Sequence, residues 1–396
     1  MGLKFLATIF IATLMSAHAH ATEISLVRQV ILRDKTGLVL QPNVIVRAGN
    51  DDFVVAGSIP GAQEAWATKI DAQGKPIWRY VTGVRDSGLA PGDVPEFRGA
   101  AVMKDGSTFL CGYMPTPAGK YLPALLTHLD AAGHTINESL LKPSNSAEHG
   151  LSYLDDCVPW KNGVAMLGHV IHFVGGQTRN LYWTLALDQR GHLLWETLLP
   201  TQLDNLDSVG PWQVGPLMVY SDFGLLFAGG NSSTEVFWVS ETGDLIAKTK
   251  FSGAFRLFRN LDVPRVPEMY GSVSSGLLKT VALDNNLTIT HTSQANKMLK
   301  FDPYIAYQMP NKSIVMFGSS RAGYAKQLGM YIDSTLQSAQ AIDLHHHGYA
   351  DTAFISAAAP TGRDGEYVTA RPLMKEDFSG TNLEAIGAIL DFIKVQ

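Results

Sequence analysis

His345, His346 and His347 stand side by side in DLHHHGYAD, three of the chain's twelve histidines. Imidazole binds zinc, copper or nickel, and it changes charge close to neutral pH. Neighbouring residues of an extended segment point in different directions, so three in a row do not close on one ion together. One or two of them would need partners from elsewhere, such as Glu148 and His149 in NSAEHG. Three readings therefore stand for the triplet: part of a composite metal site, a pH-responsive contact surface, or a solvated loop. Other groups able to do chemistry are His169, His172 and Arg179 in GHVIHFVGGQTRN, and Arg85, Asp86, Asp93, Glu96 and Arg98 in VRDSGLAPGDVPEFRG. Lys375, Glu376 and Asp377 in KEDFSGTN complete the set. No G-x-S-x-G, H-E-x-x-H, Walker A or Rossmann glycine pattern accompanies them. No catalytic residue, cofactor or metal is assigned on this basis.

What positions these residues is a repeat. WATKIDAQGKPIW runs from an alternating strand into Asp71, with Gly74 three residues later and Trp78 at seven. The same order returns in LLTHLDAAGHTIN (Asp130, Gly133, Asn137) and WTLALDQRGHLLW (Asp188, Gly191, Trp195). It weakens in FWVSETGDLIA (Ser240, Gly243), KTVALDNNLTITH (Asp284), GMYIDSTLQSAQ (Asp333) and IGAILDFIKVQ (Asp391). Upstream of each anchor lies an apolar strand ending in a small residue, as in FVVAG (Gly57), TFLCG (Gly112), VAMLG (Gly168), LLFAG (Gly229) and IVMFG (Gly318). Alternation with period two makes a strand with one buried face. Asp-x-x-Gly supplies a turn in which the carboxylate bonds the backbone and glycine takes positive φ. These aspartates, Asp391 included, are read as turn residues.

Seven such units, each a four-stranded antiparallel sheet with strands a to d, must stack to bury their faces. Closing the stack into a ring removes its exposed ends. The expected fold is all-β, a seven-bladed β-propeller. Glu23–Leu32 is a strand without a unit of its own, and the last unit lacks an outer strand. The first is expected to complete the seventh blade and close the ring. Antiparallel order sends the b–c and d–a connections to one face and the tight a–b and c–d turns to the other. The longest b–c connections fall in blades two, three and seven. The histidine triplet falls on the d–a connection from blade six to blade seven, and YADTAFISAA is read as strand a of blade seven. The five tryptophans Trp66, Trp78, Trp183, Trp195 and Trp238 hold repeat positions and are read as inter-blade core.

WATKIDAQGKPIW resembles the repeat of bacterial exported propellers of the delta-60-repeat or PQQ-like type, and the resemblance runs through the whole mature chain. It implies a fold and not an activity. Quinoprotein repeats place one more residue between Asp and Gly, as Asp-x-x-Thr-Gly. Asp71 to Gly74 lacks it, which argues against pyrroloquinoline quinone as a cofactor.

Lys4, the apolar run Phe5–Ala17 and Ala19-His20-Ala21 together read as a signal peptide over residues 1–21. One propeller domain over residues 22–396 is expected to follow, periplasmic or secreted. A formal net charge of −5 gives no electrostatic case for nucleic acid, and no segment suits insertion in a membrane. Cys111 and Cys157 fall on adjoining blades, where they can pair as a disulfide or stay as separate buried thiols. The expected role is a non-catalytic protein-binding module, a monomer in itself, such as an immunity protein or an envelope assembly factor. Its contact residues would be Arg85, Asp86, Glu148, His149, His172 and His345, His346 and His347. The alternative is a hydrolase or carbohydrate-binding propeller using histidines and carboxylates at the channel mouth.

Overall fold

The computed structural model describes residues 24–33, 38–82, 89, 93–116, 122–144, 150–174, 177–201, 218–219, 224–230, 233–258, 268–272, 277–298, 301–320, 327–343, 355–363, 365–376 and 383–395. Seven four-stranded antiparallel sheets make up the ring. Blade one runs Gln41–Arg47, Phe53–Ile59, Glu64–Ile70 and Pro76–Val81 as strands a to d. The other blades repeat that order. Strands a of blades seven, one, two, three and four touch their neighbours around the axis. Strand Ile24–Leu32 pairs antiparallel with Leu383–Val395, Ile24 opposite Val395 and Leu32 opposite Ala388. It is the outer strand of blade seven, so the two ends of the chain close the ring as expected. Among the described residues no helix is long and apolar enough to cross a membrane.

The repeat has a physical cause at each of its positions. Asp71 Oδ1 accepts from the backbone N–H groups of Gln73 and Lys75. Asp130, Asp188 and Asp284 hold their turns the same way, and Ser240 Oγ does so in blade four. Strand d then carries its seventh-position residue beneath the next blade's turn. Gly133 has φ +85°, and a Cβ added there would stand 2.6 Å from Trp78 Cγ of the preceding blade. Gly243 sits against Trp195 in the same manner, and Gly74 against Val30 of the closing strand. The turn is thus also the inter-blade lock. Trp66 and Trp183 are fully buried, and Trp195 and Trp238 pack against core clusters.

A pair of substitutions separates the two demands on the turn glycine. Gly191 also has φ +85°, yet its added Cβ would find only Asn137 Nδ2, at 4.0 Å. Gly191→Ala is expected to lose about 1 kcal/mol, from backbone strain alone. Gly133→Ala should lose about 2–3 kcal/mol, because the indole of Trp78 must move as well. Urea unfolding of the two variants checks the difference, and equal losses would remove the lock from the account.

One expectation needs correction. Asp391 is not a turn residue: it lies within strand Leu383–Val395, fully buried, with Oδ2 2.7 Å from Arg371 Nε. The last strand c runs on past it, because its pairing with strand b places Ala370 opposite Leu390. In blade three, where one of the longest b–c connections is expected, strands b and c themselves run on. Strands Gly163–Val174 and Gln177–Asp188 stay paired to Val174 opposite Gln177, so His169 and His172 are strand residues. Of YADTAFISAA, residues 349–354 lie outside the described residues, and the described strand a of blade seven is Ala357–Pro360, with Ile355 and Ser356 ahead of it.

Candidate functional site

In blades one, two, three and six the small residue of strand b lies beside a bulge in the inner strand. A Cβ at Gly112 would overlap the carbonyl oxygen of Glu96, and one at Gly168 that of Tyr153. Next to these contacts the a–b register slips by one residue: between Pro42 and Val44, Phe97 and Gly99, and Leu154 and Asp156. A bulge leaves one residue out of the ladder and re-aims it. In blades one, two and three those residues are Asn43, Arg98 and Asp155.

They meet in one polar chain across three blades. Asn43 Nδ2 donates to Glu96 Oε2 and to the Phe97 carbonyl, each at 3.3 Å. Arg98 donates through Nε to Glu96 and through Nη1 to Asp155 Oδ1 at 2.9 Å. Asp155 Oδ2 lies 2.6 Å from His169 Nδ1. Two tyrosines form the base. The Arg98 guanidinium sits 4.7 Å from the ring centre of Tyr113 and 5.4 Å from that of Tyr153. Tyr153 stacks on His169 at 4.5 Å, and Tyr113 meets Tyr153 edge-on at 5.2 Å. Glu96 opens strand a of blade two opposite Tyr113, which closes strand b. The cluster therefore lies toward the end of the ring where the b–c and d–a connections emerge.

The side chains of Arg98, Asp155 and His169 are 10 %, 3 % and 6 % exposed, so their charges must be settled internally. Burial alone would raise the Asp155 carboxyl, but His169 and then Arg98 outweigh it and hold it below the usual range. Burial likewise opposes the charge on Arg98, and Glu96 and Asp155 overcome that and push its pKa above the ordinary value. The Tyr113 hydroxyl is pushed up to about 12 by burial and by Glu96, against Arg98. Tyr153 is also raised, by burial first. Both phenols stay protonated at neutral pH, the opposite of an activated nucleophile. Among the described residues no three His, Cys, Asp or Glu side chains are grouped to hold a metal ion. Chemically the arrangement is a buried clamp of ion pairs and hydrogen bonds.

The residues picked from the sequence relate to this clamp unevenly. Arg85, Asp86, Glu148, His149, His345, His346 and His347 lie outside the described residues. Two of their connections, however, lead directly into the strands that carry Arg98 and Asp155. His172 has its backbone opposite Gly150, the residue after His149. Asp155, Tyr113, Tyr153 and Asn43 were missed. A charge within the innermost strand, as at Asp155, is the signal that could have found them. At the opposite face, where blade seven meets blade one, Arg28, Asp51, Arg363 and Glu366 line a cavity of about 100 Å³. That is well below the roughly 300 Å³ at which small-molecule sites begin.

No protein-family model matches the chain, and no curated protein matches it in sequence. Solved structures do resemble it. The WD40 β-propeller domain of Doa1 is 10 % identical, with a TM-score of 0.53 over 94 % of this chain and 97 % of that one. The β-propeller domain of Myceliophteria thermophila Cps50 (Swd1) is 8 % identical, with a TM-score of 0.52 over 94 % and 100 %. A puromycin hydrolase is 12 % identical, with a TM-score of 0.51 over 88 % of this chain and 53 % of its own. Likeness at this level establishes the propeller. Because it extends to a hydrolase as well as to WD40 domains, it leaves the role to be argued from the site.

Proposed function

We propose that this seven-bladed propeller is an exported, non-catalytic protein-binding module of the periplasm or cell exterior. It acts as a monomer, in the manner of an immunity protein or an envelope assembly factor. Its partner docks on the face of the b–c and d–a connections over blades seven, one, two and three. The observation that carries this reading is the buried clamp Asn43–Glu96–Arg98–Asp155–His169. Arg98 lies between the carboxylates of Glu96 and Asp155 and the phenols are held protonated, so the clamp fixes three blades relative to one another. A rigid platform loses little entropy when a partner binds its rim.

The test is affinity capture from a periplasmic extract with three rim variants: Arg85→Ala with Asp86→Ala, Glu148→Ala with His149→Ala, and His345–His347 all to Ala. At least one should lose a partner that the unmodified protein holds. Capture that survives all three overturns the chosen face. The competing hydrolase or carbohydrate-binding reading draws on the His169–Asp155 pair, a carboxylate-held imidazole of the kind used in general base catalysis. Ester or glycoside hydrolysis abolished by His169→Ala would favour it instead.

A further inference from the structure

Cys111 and Cys157 lie in neighbouring blades and share one core cluster, 0 % and 2 % exposed. Cys111 is on strand b of blade two, opposite Gly99 of strand a. Cys157 is on strand a of blade three, two residues after the bulged Asp155. Gly99 lies between them: a Cβ there would stand 2.5 Å from Cys111 Sγ and 2.7 Å from the Cys157 backbone nitrogen. Cys157 Sγ in turn reaches to 3.8 Å from the carbonyl oxygen of Phe109, on the same strand as Cys111. Only a residue without a side chain lets the two strands approach this closely. Burial, and after it the neighbouring Cys157 thiol, holds the Cys111 thiol well above its ordinary pKa. Neither cysteine is in a disulfide in this structure.

We infer that Cys111 and Cys157 are a modification site for thiol–disulfide exchange, and that their product is a covalent clasp between blades two and three beneath the Arg98–Asp155 pair. The co-reactant is an external disulfide, either a protein oxidant or oxidised glutathione. One cysteine thiolate attacks it, releases one thiol and forms a mixed disulfide. The second cysteine then displaces the other thiol. Two protein S–H bonds and one external S–S bond are exchanged for one protein S–S bond and two external thiols, with two electrons passing to the oxidant. Docked blades shut both sulfurs away from solvent and disfavour the thiolate, so exchange takes place before blades two and three close. The finished bond is shielded from reductant by the same packing. This inference does not depend on which face binds a partner.

Thiol counting on the full chain tests it. The protein is unfolded, reduced, and refolded in a mixture of oxidised and reduced glutathione. It is then alkylated in denaturant, with and without prior reduction, and weighed. The expected result is no alkyl group without reduction and two with it, on a monomeric chain. Native protein should keep the bond under reductant concentrations that open it after unfolding. The clasp closes a loop of about 46 residues, so its reduction should lower Tm by roughly 5 °C. Cys111→Ser with Cys157→Ser should show no response of Tm to reductant. If that variant fails to fold, the alkyl count on the unmodified chain still decides. Two alkyl groups without reduction, or a bond found only between two chains, overturns the inference.

Discussion

Asp155→Ala is expected to destabilise the protein by about 3–5 kcal/mol, because it leaves buried charge without its counter-charge. Arg98, 10 % exposed at its side chain, would keep only Glu96, and His169 would lose its partner at 2.6 Å. Acid should act on the same group. The folded Asp155 carboxyl titrates below its unfolded value, which is about 3.9. Its contribution is therefore complete above that value and is lost as pH falls from there through the folded pKa. Guanidinium unfolding of the wild type and of Asp155→Asn, repeated from pH 6 down to about pH 3, should show the gap between them narrowing as acid is added. A gap independent of pH would mean that the carboxylate is not charged in the clamp. Combining Arg98→Met with Asp155→Leu should be less harmful than the two single losses added, since the pair leaves together.

Asp391→Ala has an expected loss of similar size, about 3–5 kcal/mol, and a different signature. Asp391 is fully buried and bonds Arg371 at 2.7 Å through Oδ2 and Gln29 Nε2 at 2.5 Å through Oδ1. Gln29 belongs to the strand that closes the ring. Removing the carboxylate should therefore loosen Ile24–Leu32 before any other strand. Hydrogen exchange measured by mass spectrometry would show peptides covering this strand losing protection, with blades two and three retaining theirs. Gln29→Ala, which spares the ion pair, should lose only about 1 kcal/mol. Uniform loss of protection around the ring would show that Asp391 supports the core in general and not the closure.

These two aspartates show where reading a sequence works and where it stops. Asp71, Asp130 and Asp188 were legible as turn residues because a carboxylate and the N–H groups it holds lie two and four residues apart. Asp391 carries the same apolar run before it, and was misread, because its partner Arg371 is 20 residues away on another strand. The clamp was hidden for the same reason. Arg98 and Asp155 are 57 residues apart, and each belongs to a bulge that only inter-strand register reveals. The small residue closing strand b was visible throughout. That it marks a bulge in blades one, two, three and six is seen only in the register of strands a and b.

The sequence by itself determined the seven units, their four-stranded order, the turn chemistry and the closing role of the first strand. Each of these depends on residues close in the chain, or on a period repeated often enough to survive poor copies. Tertiary structure alone decided that Asn43, Glu96, Arg98, Asp155 and His169 form one chain at the channel mouth, and that Cys111 and Cys157 share one core cluster. Neighbouring blades bring those residues together only after their inner strands bulge, and no local pattern encodes the distance between blades.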